Sequence, residues 1–217
     1  MSSVLVVAET RRGEVREVTA ESIAAGIEIK RASGARLIVA VLGPDPDSLL
    51  ASLAYEGVDE IVTVTTAGDH FEPHVAEAAL ESLIETMRPS VVVLGHTADS
   101  LGFAAAVAAR GEHGFASDVS RVGWDGGLIA WRGLYGGKLE AELAFDGKQT
   151  TIVLVRIGSF SPAATTSAAP PVREAAVAAG APRSTHLGFE EAKADGIDIT
   201  KADFLLSIGR GVDDEAK

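Results

Sequence analysis

Short apolar runs, rich in β-branched residues and leucine, alternate with helical periods from the N-terminus to about Arg110. This rhythm leaves few folds open. The runs are Val4 to Ala8, Arg36 to Leu42, Ile61 to Val64 and Val91 to Leu94. They show little polar alternation, as expected of strands buried on both faces of a parallel sheet. Between them, Thr19 is the expected N-cap of a helix that buries Ile23, Ala24 and Ile27 and stops at Gly34. A shorter helix carries Leu49, Leu50 and Leu53 and should end at Gly57. A third opens at Pro73, places Ala76, Ala79, Leu80, Leu83, Ile84 and Met87 on one helical face, and meets Pro89 beyond its end. The order β-α-β-α-β-α-β predicts a doubly wound, three-layer α/β/α domain on a mostly parallel sheet.

From Ser117 the rhythm changes. Four strand-like runs, SDVSRVGWDGG, LIAWRGLYGG, KLEAELAFDG and TTIVLVRIG, are separated by glycine pairs and Asp-Gly. That punctuation predicts an antiparallel hairpin excursion. The last run is apolar enough to rejoin the central sheet. Trp124, Trp131 and Tyr135 alternate through the hairpins with a spacing that suits one face, packed on the core or on a partner. Residues 159–182 are Ala/Pro/Ser/Thr-rich and read as a mobile surface crossing or linker.

The 217 residues carry a net charge of −12, with a sequence pI of about 4.8. Such a surface repels phosphate backbones and anionic lipid, so nucleic acid is not an expected partner. No apolar run has the roughly 18 residues of a spanning helix, so membrane insertion is not expected either. Absent cysteines exclude disulfides, thiol catalysis and Cys-based metal centres. The opening MSSVLVVAE has no basic region before its first strand, which argues against a signal or transit peptide and for a cytoplasmic protein.

The C-terminal residues hold the main candidate site. Phe204 to Ile208 reads as a buried strand delivered into a Gly-Arg-Gly turn. Glycines admit close backbone approach, and a guanidinium fork suits an anionic ligand at a strand's carboxyl end. The candidates are Ser207, Gly209, Arg210 and Gly211; the competing reading of Arg210 is a surface arginine in a hinge. His96, Thr97, Asp99 and Ser100 follow the fourth strand, where open α/β sheets bind ligands, yet capping explains Asp99 or Ser100 better. No glycine-rich phosphate loop accompanies them. His70 and His74 have an i, i+4 spacing, but Pro73 intervenes and no third metal ligand is near. The carboxylate runs Glu190–Glu191 and Asp213–Glu215 read as solvated faces, and no serine sits in a nucleophile elbow.

Several stretches, in this order, resemble the alpha subunit of electron-transfer flavoproteins. They are VLVVAE before an Ala-rich helix, VVVLGHTADSLGFAAAVAAR, SDVSRV with RGLYGGKLEAEL, and QTTIVLVRIGSF followed by the terminal SIGRG. The resemblance implies an adenine-nucleotide-hydrolase-like N-terminal domain over residues 1–207. It implies that residues 208–217 are a hinge opening into a C-terminal FAD-binding domain that is missing from this chain. It also implies a beta-subunit partner and FAD contacts from Arg210, with Ser207, Gly209 and Gly211. Electrons would pass from acyl-CoA dehydrogenases of fatty-acid β-oxidation, or other dehydrogenases, to a quinone reductase or another acceptor. FAD belongs to the intact subunit and is not expected to stay on this chain alone, which makes no bonds itself. Two alternatives stand beside this reading: a stand-alone adenine-nucleotide-binding module of universal-stress type, and a structural paralogue that scaffolds a partner without a cofactor.

Overall fold

The computed structural model describes residues 2–68, 70–177, 180–190, 202 and 204–209. The chain order begins with β1 (Ser3–Val7), a two-residue-strand hairpin of β2 (Thr10–Arg11) and β3 (Glu14–Val15), and α1 (Val18–Ser33). Next come β4 (Arg36–Gly43), a 3₁₀ helix (Pro46–Leu53), β5 (Glu60–Thr65), α2 (Pro73–Met87) and β6 (Val91–Gly95). Two short helices, α3 (Ala98–Leu101) and α4 (Ala104–Arg110), precede β7 (Gly114–Trp124), β8 (Leu128–Leu134), β9 (Leu139–Ala144), β10 (Thr151–Val155) and β11 (Val172–Glu174). The chain divides into two units, Met1–Thr185 and His186–Lys217. All sixteen of these elements lie in the first.

Nine strands form one sheet in the order β11-β5-β4-β1-β6-β10-β7-β8-β9. The first seven run parallel and the last two turn antiparallel. This is the expected α/β architecture with its hairpin excursion. β10 returns to the centre, between β6 and β7. Each buried strand feeds both layers. Val4 and Val6 face α1 and the 3₁₀ helix, while Leu5 faces α2 and α4; Val91 and Val93 oppose Val92 and Leu94 in the same way. Two apolar layers explain why the runs lack polar alternation.

Local details differ from the sequence reading where tertiary contacts outweigh propensity. Glu17, not Thr19, is the N-cap residue of α1; Thr19 is the buried second residue of the helix. Its hydroxyl accepts from Glu9 N at 3.0 Å. The packed stripe of α1 is Ile23, Ala25, Gly26 and Ile29, with Ala24 and Ile27 only half-buried. Gly34 closes the helix as expected, left-handed (φ 71°) and donating to Lys30 O at 2.9 Å. The leucine helix is 3₁₀ and ends at Leu53.

The three hairpin aromatics do not share a face. Trp124 packs on the α1-side core, as does Ala130. Trp131, next in the strand to Ala130, points the opposite way, under the Arg121 guanidinium (4.0 Å), and donates from Nε1 to Glu142 at 3.0 Å. Tyr135 lies in the β8–β9 turn, left-handed at φ 52° and 77% exposed. The period of two breaks at the turn.

The Ala/Pro-rich stretch crosses the domain and carries a strand that its composition did not indicate. Phe160 is buried in the core, Ala163 N donates to Ala20 O at 3.1 Å, and Tyr55 bridges Thr165. β11 then pairs parallel with β5, fastened by Arg173 Nε to Glu60 Oε1 at 2.7 Å. The crossing closes on Glu72. That buried carboxylate accepts from Arg183 N (3.2 Å), Ser184 N (3.0 Å) and Ser184 Oγ (2.8 Å).

Candidate functional site

In an open parallel sheet, function gathers where the strands end, because side chains there leave the packed layers while their backbones stay held. Strands β6 and β10 end side by side, next to the point where β7 leaves its parallel pairing with β10. The ladder runs one residue further: His96 N donates to Val155 O (2.7 Å) and Arg156 N to Val119 O (2.8 Å). His96 and Arg156, each one residue past its strand, are thus neighbours of Asp118, which lies within β7. Asp118 sits at an irregularity of β7, where register shifts against β10, and takes a left-handed backbone, φ 61°. Aspartate tolerates that conformation better than most residues. Arg156 donates twice to its carboxylate, and His96 Nδ1 stands 3.3 Å from Oδ1. The Arg156 hydrogen bonds hold the Asp118 carboxyl below its ordinary range, with the nearby charge of Arg156 and His96 in support.

A second cluster lies between the ends of β1 and β6. Glu9, two residues after β1, accepts from Thr97 Oγ1 at 2.8 Å and pairs with the Arg16 guanidinium. Its backbone is held too, by Thr19 Oγ1 and by Arg16 N, which donates to Glu9 O at 2.8 Å. Thr97 and Ser100 form a capping box at α3: Ser100 N donates to Thr97 Oγ1 and Thr97 N to Ser100 Oγ, both at 3.2 Å. Ser100 Oγ also donates to Gly95 O at 2.5 Å. Thr97 and Ser100 therefore serve the local fold, and capping falls to Thr97 rather than Asp99 or Ser100.

Of the C-terminal candidates, Arg210 and Gly211 lie outside the described residues. Ser207 and Gly209 are exposed, and a side-chain carbon added at Gly209 would meet nothing within 4 Å. Those two residues alone do not enclose a flavin. Phe204 to Ile208 was expected to be a buried strand. It is neither; Phe204, Leu206 and Ile208 are exposed, in a segment without strand pairing. An apolar run becomes a strand only when another strand supplies its hydrogen-bond partners.

Among the described residues no group of three or more His, Asp or Glu side chains is arranged to hold a metal ion. No described helix is long and apolar enough to cross a membrane. Sequence reasoning missed Glu9, Arg16, Asp118 and Arg156. Glu9 and Arg156 did carry a usable signal: each is a charged residue just past the carboxyl end of a strand that is buried along nearly all its length.

A doubly wound sheet with an antiparallel hairpin grown from one end places the molecule among the three-layer α/β/α domains. The chain belongs to the electron transfer flavoprotein family: the model of the electron transfer flavoprotein domain matches residues 4–180. It is 38% identical over 217 residues to an electron transfer flavoprotein subunit alpha of Methylophilus methylotrophus, covering 99% of this chain and 67% of that protein. An alpha subunit from Bacillus subtilis (strain 168) is 29% identical over 215 residues, covering 96% and 64%. Protein FixB of Clostridium saccharobutylicum is 27% identical over 215 residues, with the same coverage. The resemblance to alpha subunits read from the sequence is borne out. The chain spans about two thirds of the length of these relatives.

Proposed function

We propose that this chain is the N-terminal scaffold of an electron-transfer flavoprotein alpha subunit, holding a beta subunit and orienting a FAD-binding domain. The continuous match to alpha subunits, across 99% of the chain, carries this reading. When bound, the flavin accepts and hands on electrons. Acyl-CoA or other dehydrogenases would supply them, and a quinone reductase or similar acceptor would take them, in the cytoplasm. Ser207, Gly209, Arg210 and Gly211 are the residues proposed to approach FAD in the intact subunit. The open space around Gly209 leaves room for that approach.

The surface proposed to meet the beta subunit lies in the hairpin region, residues 117–147. Tyr135 (77% exposed) and Leu139 (58%) stand at its tip, and β9 is the last strand of the sheet with one edge unpaired among the described residues. Exposed aromatic and aliphatic side chains beside an open strand edge suit a protein partner. Co-expression with a beta subunit, followed by size exclusion and an absorption spectrum, tests both halves. The pair should co-elute, and the 217-residue chain alone should be colourless. A stoichiometric flavin band on the lone chain, in the usual region near roughly 450 nm, would overturn the scaffold assignment.

A further inference from the structure

We propose that Glu9 is a built-in substitute for a phosphate, closing the crevice of this sheet to nucleotides. The chain leaves β1 toward β4 on one side, and strands β7 to β10 lie on the other, beyond β6. Where winding reverses in this way, adjacent loops separate and open α/β sheets bind their ligands. Here that position holds the Glu9 carboxylate. Its oxygens engage the two donors a phosphate would seek there, the Arg16 guanidinium and the Thr97 hydroxyl at 2.8 Å. The side chain is 13% exposed, and Thr19 and Arg16 hold its backbone on both sides. It is a fixed charge and not a swinging one.

A fixed carboxylate at this point acts twice against an anion. It satisfies Arg16 and Thr97, so neither is left seeking a partner, and it repels a second negative charge arriving within a few ångströms. Glu9 is therefore a specificity-determining residue: it makes a ligand-binding fold into a structural one. The ligand class it excludes is the phosphomonoester, whether free phosphate or the 5′-phosphate of an adenine nucleotide. This inference does not depend on the flavoprotein role.

Glu9→Ala in the full chain tests it, because alanine removes the charge and vacates the space between Arg16 and Thr97. Inorganic phosphate and AMP are titrated separately, with phosphorus NMR and thermal unfolding as readouts. The wild type should show no saturable binding. Glu9→Ala should gain saturable phosphate binding at least about tenfold tighter than any seen with wild type, and adding Arg16→Ala should remove it. AMP binding without phosphate binding would place the recognition on the base and overturn the proposal. Equal binding by wild type, or none by folded Glu9→Ala, would do the same. If Glu9→Ala does not fold in dilute buffer, refolding is repeated in phosphate and in chloride of matched ionic strength. Rescue by phosphate alone supports the substitution of one anion for another; no rescue defeats it.

Discussion

Arg156 grips Asp118 with two parallel hydrogen bonds, Nε to Oδ1 and Nη2 to Oδ2, both 2.7 Å. This bidentate pair ties the end of β10 to the irregular stretch of β7. Asp118 sits left-handed, a conformation asparagine also tolerates, so Asp118→Asn isolates the charge. The carboxyl is depressed below its ordinary 3.8. A depressed acid stabilises the fold above its unfolded value and loses that contribution as pH falls through the folded one. Asp118→Asn should cost about 1 kcal/mol at pH 7, the modest figure appropriate to a partly exposed pair. In urea unfolding the gap should narrow below about pH 4. A gap that stays constant with pH would assign the loss to shape instead of charge.

Glu72 should act as an acid-sensitive clasp on the end of the crossing segment. The Ser184 hydroxyl bond, with the Arg183 and Ser184 amides, holds its carboxyl below the ordinary 4.5. Protonation therefore releases those donors as pH falls below that value. Hydrogen exchange at Arg183 and Ser184, corrected for intrinsic rates, should rise on acidification and already be raised in Glu72→Gln at pH 7. Unchanged protection in Glu72→Gln would show that the segment is held elsewhere.

Gly95→Ala should destabilise the domain by about 1–3 kcal/mol, the usual cost of overpacking. A methyl group there would lie well inside contact distance of Val18, a stiff β-branched side chain at the start of α1. Val18→Ala should recover part of the loss when combined with it. Additive losses in the double variant would mean the two residues do not compete for the same space.

Tyr135→Gly separates folding from partner binding. A non-glycine residue at φ 52° carries roughly 1 kcal/mol of strain, and glycine's extra freedom in the unfolded chain costs a similar amount. The variant should unfold within about 0.5 kcal/mol of wild type by this cancellation. Pairing with a beta subunit should weaken by about tenfold or more if Tyr135 anchors the interface. Unchanged pairing, measured by surface plasmon resonance, would move the interface away from the hairpin tip.

The parts legible in the sequence are those set by local periodicity. Val4 to Val6, Leu37 to Val41 and Val91 to Leu94 could be read as buried strands because both faces of each demand apolar side chains. Pro73 and Gly34 mark helix ends because their backbones restrict or permit the required dihedrals. The glycine pairs and Asp-Gly likewise mark the hairpins. Thr19 shows the limit of such signals: it has the composition of a cap, yet burial beside Glu9 places it inside the helix.

Tertiary structure alone decided the partnerships. Glu9 meets Thr97 across 88 positions, Glu72 meets Ser184 across 112, and Asp118 meets Arg156 across 38. Nothing in such separations has a period, because the order of strands in the sheet and the path of the crossing segment, not chain order, bring these groups together. β11 is hidden for the same reason. Its three residues are exposed and lie in an Ala/Pro-rich stretch, so only the open edge of β5 makes them a strand. Hydrophobic periodicity is a property of one segment, whereas a hydrogen bond between strand ends exists only after the sheet has chosen which strands are neighbours.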